Sequence, residues 1–308
     1  MKKHNIFLSL IVIYILVNMI IFPSVYMQKT FDGISAWAFN VLPSILPFIF
    51  FTKVLSMTGI TEKVSFAFKK PCYFLFKTPP ISAYVFLMSI ISGYPVGAKM
   101  TADLYSNGQI TKNDAFKMTS FCSTSGPMFI IGAVGAGMLK NIYFGYIIFI
   151  SHILGALLNG LIYRNLKFSN TTLEKPKDNS QQKQSQDISN VIYDSVISIL
   201  SIGAIIAIFF VVITSLSPIF NIFPQNISPL LEGMVEITKG CLDISSLPNT
   251  TWKILACTFV ISFGGISTIL QSVTMLNKLN MPIKLFVLQK ITHAILSTAI
   301  CCFLSLFI

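Results

Sequence analysis

Residues 6–22, IFLSLIVIYILVNMIIF, carry no charged side chain, and runs nearly as apolar recur at 36–57, 143–163, 191–219, 252–276 and 285–308. A helix needs about 20 predominantly apolar residues to cross a bilayer, so each run is long enough to span one. Only 11% of the 308 residues are charged, against roughly 25% in a soluble domain. A transmembrane barrel would instead show alternating segments of about 10 residues, and these runs are apolar all round. The fold class expected is therefore all-α: a polytopic helical membrane protein, multi-pass and in contact with a lipid bilayer.

The net charge of +11 does not mark a nucleic-acid partner. The lysines are spread over the segments between apolar runs, as expected where Lys and Arg orient a membrane protein. The six cysteines (Cys72, Cys122, Cys241, Cys257, Cys301 and Cys302) show no CxxC or Cys/His ligand spacing. They read as small buried hydrophobes, implying no disulfide framework, no metal and no cofactor. The basic start MKKHN before residues 6–22 resembles a signal peptide, but the apolar run is long and no small-residue cleavage site follows. It reads as a retained first helix with its basic end in the cytoplasm.

Four regions follow from this pattern: an N-terminal transmembrane helix within 1–30, a first membrane half over 31–163, a hydrophilic linker over 164–190 and a second membrane half over 191–308. The linker, RNLKFSNTTLEKPKDNSQQKQSQDISN, is too polar to bury a core. The basic stretch 61–77 reads as a cytoplasmic loop, and 230–247 as an interfacial helix with Glu232 and Glu236 on its wet side. Laying Gly93 over Gly265 also lays Leu104 over Leu276 and Met118 over Lys290, and LPFIFF at 46–51 resembles IIAIFF at 205–210. The halves thus read as a repeat. If the linker is cytoplasmic and 114–139 re-enters without crossing, the repeat is inverted, as in many secondary transporters; if 114–139 crosses, the linker lies outside and the inversion does not follow.

Two segments break the apolar rule. In SIISGYPVGAKMTADLY at 89–105, Pro95 has no N–H and leaves the Ile91 carbonyl without a helical partner. Hydrocarbon tolerates such a break only against protein or a water-filled cavity. Ser89, Gly93, Gly97 and Thr101 form one small-residue face that lets another backbone approach. Lys99 and Asp103 share a face one turn on. They either point into a polar interior or already lie at the interface, pairing with each other. The second segment, FCSTSGPMFIIGAVGAGML at 121–139, places Ser123, Thr124 and Ser125 before Gly126 and Pro127. A helix starting near Pro127 would present free N–H groups, which favour anions; the alternative is a plain kink. In the second half, Gly264, Gly265, Ser267, Thr268 and Gln271 occupy the place of the first break, without a proline. His152 and His293, each alone in an apolar run, read as satisfied packing residues.

The candidate substrate-binding residues are therefore Ser92, Gly93, Tyr94, Pro95, Gly97, Lys99, Ser123, Thr124, Ser125, Gly126, Pro127, Ser267, Thr268 and Gln271. No paired carboxylates, metal ligands or phosphate-binding loop accompany them. Ser125 has no general base at a sequence-defined position, so an enzyme is not the expectation.

SGYPVGAK at 92–99, followed by FCSTSGPMFIIGAVGAGML, resembles the sporulation integral membrane protein YlbJ (SpoVV) family. That family falls within the nucleoside-recognition, Gate-domain group, whose fold is related to concentrative nucleoside transporters. The resemblance covers most of the chain and is strongest over 81–163. It implies broken or re-entrant helices, a role in spore formation, and passage of dipicolinic acid across the outer forespore membrane from the mother-cell side. It also leaves open homo-oligomers or other sporulation membrane proteins as partners. The fold relationship alone allows nucleoside transport instead. The small-residue faces also fit a structural membrane protein of spore assembly.

Overall fold

The structure is a computed structural model that describes residues 3–58, 60–167 and 188–306. Most of the 164–190 linker lies outside the described residues. Those described are helical almost throughout, with no strand among them. Four helices are long and apolar enough to cross a membrane, or up to six if each bent pair is one span.

The first helix, α1 (Lys3–Ile21), stops where Pro23 cannot continue it, and α2 (Pro23–Ala36) leaves at 108°. Through a π-helical turn at Trp37–Val41, α2 runs on into α3 (Leu42–Ser56). The 61–77 stretch, expected to be a loop, is instead helical: α4 (Ile60–Ala67), α5 (Lys69–Pro71) and a π turn at Cys72–Phe76. Its lysines are interleaved with VSFAF and CYFLF, apolar enough to lie against lipid. Phe66, Tyr73 and Phe74 are indeed exposed.

Next come α6 (Ile81–Ser92), α7 (Val96–Ser106), α8 (Lys112–Phe121), a π-helical segment at Met128–Met138, and α9 (Ile142–Tyr163). Side-chain caps start two of these helices cleanly. Thr111 and Asp114 form a reciprocal capping box at α8, and Asn141 accepts from the Tyr143 N–H at α9. Beyond the linker, α10 (Ile188–Phe220) packs along α2 and α3. It is followed by α11 (Ser228–Val235), α12 (Ile237–Ser245), α13 (Thr250–Phe263), α14 (Gly265–Met275) and α15 (Ile283–Ser305).

The expected interfacial helix at 230–247 is thus two short helices. With 8 and 9 residues, each is only about 12–14 Å long at 1.5 Å per residue, less than half the hydrocarbon thickness. They fold back on one another, because a Cβ on Gly240 would fall 2.0 Å from the Gly233 Cα. Lys239 ties the two arms, pairing with Glu232 at 3.2 Å and with Asp243 one turn on. The result is a short helical hairpin with Glu236 at its tip. The wet-face reading of Glu232 and Glu236 assumed one continuous helix; the chain turns at Glu236, which is 2% exposed.

Lipid tails are as apolar as leucine, so helices in a bilayer associate through close packing and polar stitches rather than the hydrophobic effect. Both are present. The Gly135 and Gly145 backbones meet where the π segment crosses α9. On α15, Gln289 donates to the Phe116 carbonyl (2.9 Å) and accepts from Thr119 (3.0 Å). Asn159 of α9 donates to the carbonyls of Ser120 (2.7 Å) and Gln289 (3.0 Å). Such bonds contribute about 0.6 kcal/mol each in a membrane. The outer surface is apolar, with Ile20, Phe39, Ile208 and Phe303 among its exposed side chains.

Candidate functional site

Three helix breaks and the hairpin tip converge. The first break lies between α6 and α7. Gly93 adopts φ +75°, which ends α6, and Pro95 follows a cis Tyr94–Pro95 peptide bond. The second lies between α8 and the π segment, where residues 122–126 are not helical. The third separates α13 from α14 at Gly264, with φ +89°. Both glycines sit in the left-handed region, where a Cβ would strain the backbone.

The first two breaks touch directly. A Cβ on Gly93 would lie 2.7 Å from the Gly126 nitrogen, and one on Gly97 only 1.6 Å from the Cys122 carbonyl oxygen. The Ile91 carbonyl freed by Pro95 lies 3.2 Å from where a Gly126 Cβ would stand, so it faces protein rather than lipid. Ser89, Gly93, Gly97 and Thr101 are all buried, and this small-residue face is what admits the second break.

Neighbouring side chains satisfy the irregular backbone. The Thr124 N–H donates to Ser89 Oγ (3.2 Å), whose hydroxyl also bonds Thr124 Oγ1 (2.8 Å). The Ser125 N–H donates to His152 Nε2 (2.9 Å). That bond fixes the tautomer: Nε2 accepts, so Nδ1 carries the proton and donates to Ser262 Oγ (2.8 Å). His293 Nε2 donates to the His152 carbonyl (3.0 Å). Both histidines are therefore satisfied packing residues.

A cavity of about 60 Å³ opens where these elements meet, with room for about four waters. Of the residues predicted from sequence, Ser92, Gly93, Tyr94, Ser125, Gly126, Ser267, Thr268 and Gln271 line it. They come from both halves, brought together across more than a hundred residues of chain. Pro95, Gly97, Ser123, Thr124 and Pro127 lie behind the wall; Thr124 turns its hydroxyl to Ser89, and buried Ser123 Oγ has no hydrogen-bond partner.

The structure does not bring Lys99 to the cavity. Lys99 and Asp103 are exposed, because α7 restarts beyond the break with its own rotation. The ion pair that the interfacial reading expected between them is not among those formed by the described residues. A different lysine reaches the breaks. Lys290 of α15 is 2% exposed and donates to Tyr94 Oη (2.5 Å) and the Ser123 carbonyl (3.0 Å). Tyr94 Oη in turn donates to the Ile261 carbonyl (3.3 Å). The turn at Gly264 takes that carbonyl out of the regular helix.

Sequence reasoning also missed the hairpin tip. Glu236, Ile237 and Thr238 line the cavity. Glu236 Oε2 accepts the Lys239 N–H (2.7 Å), capping α12, so its charge faces a helix N-terminus. No residue type marked the tip in the sequence, since Glu is not among the preferred N-cap residues. The remaining walls are apolar, including Val41 and Ile45 of the first half and Ile202, Ile205 and Ile206 of α10.

Comparison with known proteins agrees with this architecture. A family model described as nucleoside recognition, the Gate domain, matches residues 38–142, which contain the first two breaks. The chain is 25% identical over 96% of its length to the sporulation integral membrane protein YlbJ of Bacillus subtilis (strain 168), covering 81% of that protein. No solved structure matches. Both matches bear out the resemblance carried by SGYPVGAK and the hydroxyl–Gly–Pro motif: this chain is a multi-pass membrane protein that is similar to YlbJ and carries a nucleoside-recognition match over residues 38–142.

Proposed function

We propose that the protein is a sporulation-associated permease for a small anionic metabolite, with dipicolinic acid as the favoured substrate. On this reading it acts in the outer forespore membrane of a sporulating bacterium. One observation carries it: three helix breaks and a hairpin tip, drawn from both halves, surround one cavity in which a few polar groups face otherwise apolar walls. Irregular backbone survives at membrane depth only where protein or water covers it, and substrate sites of secondary transporters are built from such discontinuous helices. Ser92, Ser125, Ser267, Thr268 and Gln271 offer hydrogen bonds to carboxylate oxygens. The cavity is smaller than an aromatic dicarboxylate, so carriage requires the walls to part. No phosphate-binding loop is present in the sequence, and a solute gradient supplies the driving force.

The test is uptake of labelled dipicolinate into proteoliposomes holding the full chain. Flux above that of protein-free vesicles is expected; equal flux ends the permease reading.

Nucleoside transport is the second reading. It is favoured by the description of the matching family and by Glu236 in the cavity wall, since a carboxylate suits a hydroxyl-bearing neutral ligand better than an anion. Competition separates the two: uridine that displaces bound dipicolinate no better than an unrelated neutral solute counts for the anion.

A further inference from the structure

Lys290 is a buried lysine with no acid paired to it. Among the described residues, the ion pairs formed within 4.0 Å join Lys29 to Asp32 and Lys239 to Glu232 and Asp243; none involves Lys290. An ammonium has three donors, and Lys290 spends two of them on neutral acceptors, a phenol and a carbonyl. Burying an unpaired charge is costly, and partnering α15 to the breaks could be done by a neutral side chain such as Gln289 one position before. The cost makes sense where a ligand completes the pair.

The geometry points to the route. Lys290 Nζ sits 4.5 Å from the centroid of the Tyr94 ring, and Tyr94 lines the cavity while Lys290 does not. The ring therefore stands between the ammonium and the space a substrate would enter. Tyr94 occupies the irregular linker between Gly93 and Pro95 and belongs to neither α6 nor α7. The nearest atoms to a Cβ built on Gly264 are Lys290 Cε at 3.5 Å and Tyr94 Cζ at 3.6 Å. The third break thus closes over this pair from the other side. Glu236, the acid in the same cavity, is engaged with the N–H of Lys239, so it does not serve as the missing partner.

We propose that Lys290 is the cationic group of the cavity and that Tyr94 is its shutter. A small carboxylate enters, takes the place of the Tyr94 hydroxyl on Nζ, and leaves the phenol its bond to the Ile261 carbonyl. This deepens the permease reading and rests on it.

The experiment measures calorimetric binding of dipicolinate, with uridine as neutral comparator, to the full chain in nanodiscs. Thermal unfolding midpoints report folding. Lys290→Met is expected to weaken dipicolinate binding about tenfold or more, with uridine unaffected, and Lys290→Arg to retain most of the affinity. Tyr94→Phe removes the competing hydroxyl and is expected to tighten dipicolinate binding. Wild type that binds no dipicolinate overturns the anion reading and this assignment with it. Wild type that binds it while folded Lys290→Met binds equally well, or loses uridine in parallel, overturns the assignment alone. If Lys290→Met does not fold, unchanged or weaker dipicolinate binding by Tyr94→Phe overturns it.

Discussion

The N-terminal and C-terminal parts of the chain reach the cavity by different means. In the first, α6/α7 breaks at Gly93–Pro95 and α8 breaks again at residues 122–126. In the second, α13/α14 turns at one glycine, and α15 continues unbroken for 23 residues. The element order is otherwise similar: short paired helices, a broken pair, then the segment carrying either the hydroxyl–Gly–Pro motif or Lys290. Both parts supply hydroxyls to the cavity, but the doubly broken part supplies most of the irregular backbone. The part with the intact helix supplies Lys290, whose side chain reaches Tyr94 and the Ser123 carbonyl from α15. Irregularity and charge are divided between the two.

That division can be broken experimentally. The largest effect is expected at the contact of the first two breaks. In Gly97→Ala the new methyl meets the Cys122 carbonyl at 1.6 Å, and a backbone atom cannot step aside; a loss of at least about 3 kcal/mol is expected. A thermal unfolding midpoint near wild type would mean that the two breaks are not pressed together. Next comes the tie that holds intact α15 to broken α8. Gln289→Leu removes both side-chain bonds from α15 to α8 while Thr119 keeps its bond to the Phe116 carbonyl, and two such bonds should cost about 1–3 kcal/mol. Denaturation in detergent reads this, and an unchanged midpoint would deny α15 its anchoring role.

Gly264→Ala probes the milder break. Its Cβ would find ordinary contacts of 3.5 Å or more, leaving only the left-handed φ to cost about 1–2 kcal/mol. A loss equal to that of Gly97→Ala would erase the contrast between the two parts. The smallest effect belongs to exposed Lys99. Lys99→Ala should change stability by no more than about 0.5 kcal/mol and leave dipicolinate flux near wild type. A collapse of flux would return Lys99 to the site.

The sequence made the breaks legible because Gly, Pro and clustered hydroxyls cannot pass unnoticed in an apolar run. It also indicated Ser267, Thr268 and Gln271, through the offset that lays Gly93 over Gly265. Rotation beyond a break was hidden. Lys99 is close to Pro95 in sequence, but the helix restarts there and carries it outward. Lys290 lies far from every motif in an otherwise ordinary run, and only the packing of α15 against Ser123 and Tyr94 reveals it. Glu236 was misread for a related reason: its spacing from Glu232 suggested one face of one helix, whereas the chain reverses at that residue. The polar linker, read from composition, falls mostly outside the described residues.

With Gly93 and Gly126 in backbone contact and no side chain between them to act as a bearing, the two irregular segments form one slab, and neither slides without the other. Breathing of the cavity then falls to its other walls, the isoleucine face of α10 and the α11–α12 tip. A compound wedged between that tip and the slab would bear on the walls that side chains alone hold apart, and not on the two joined breaks.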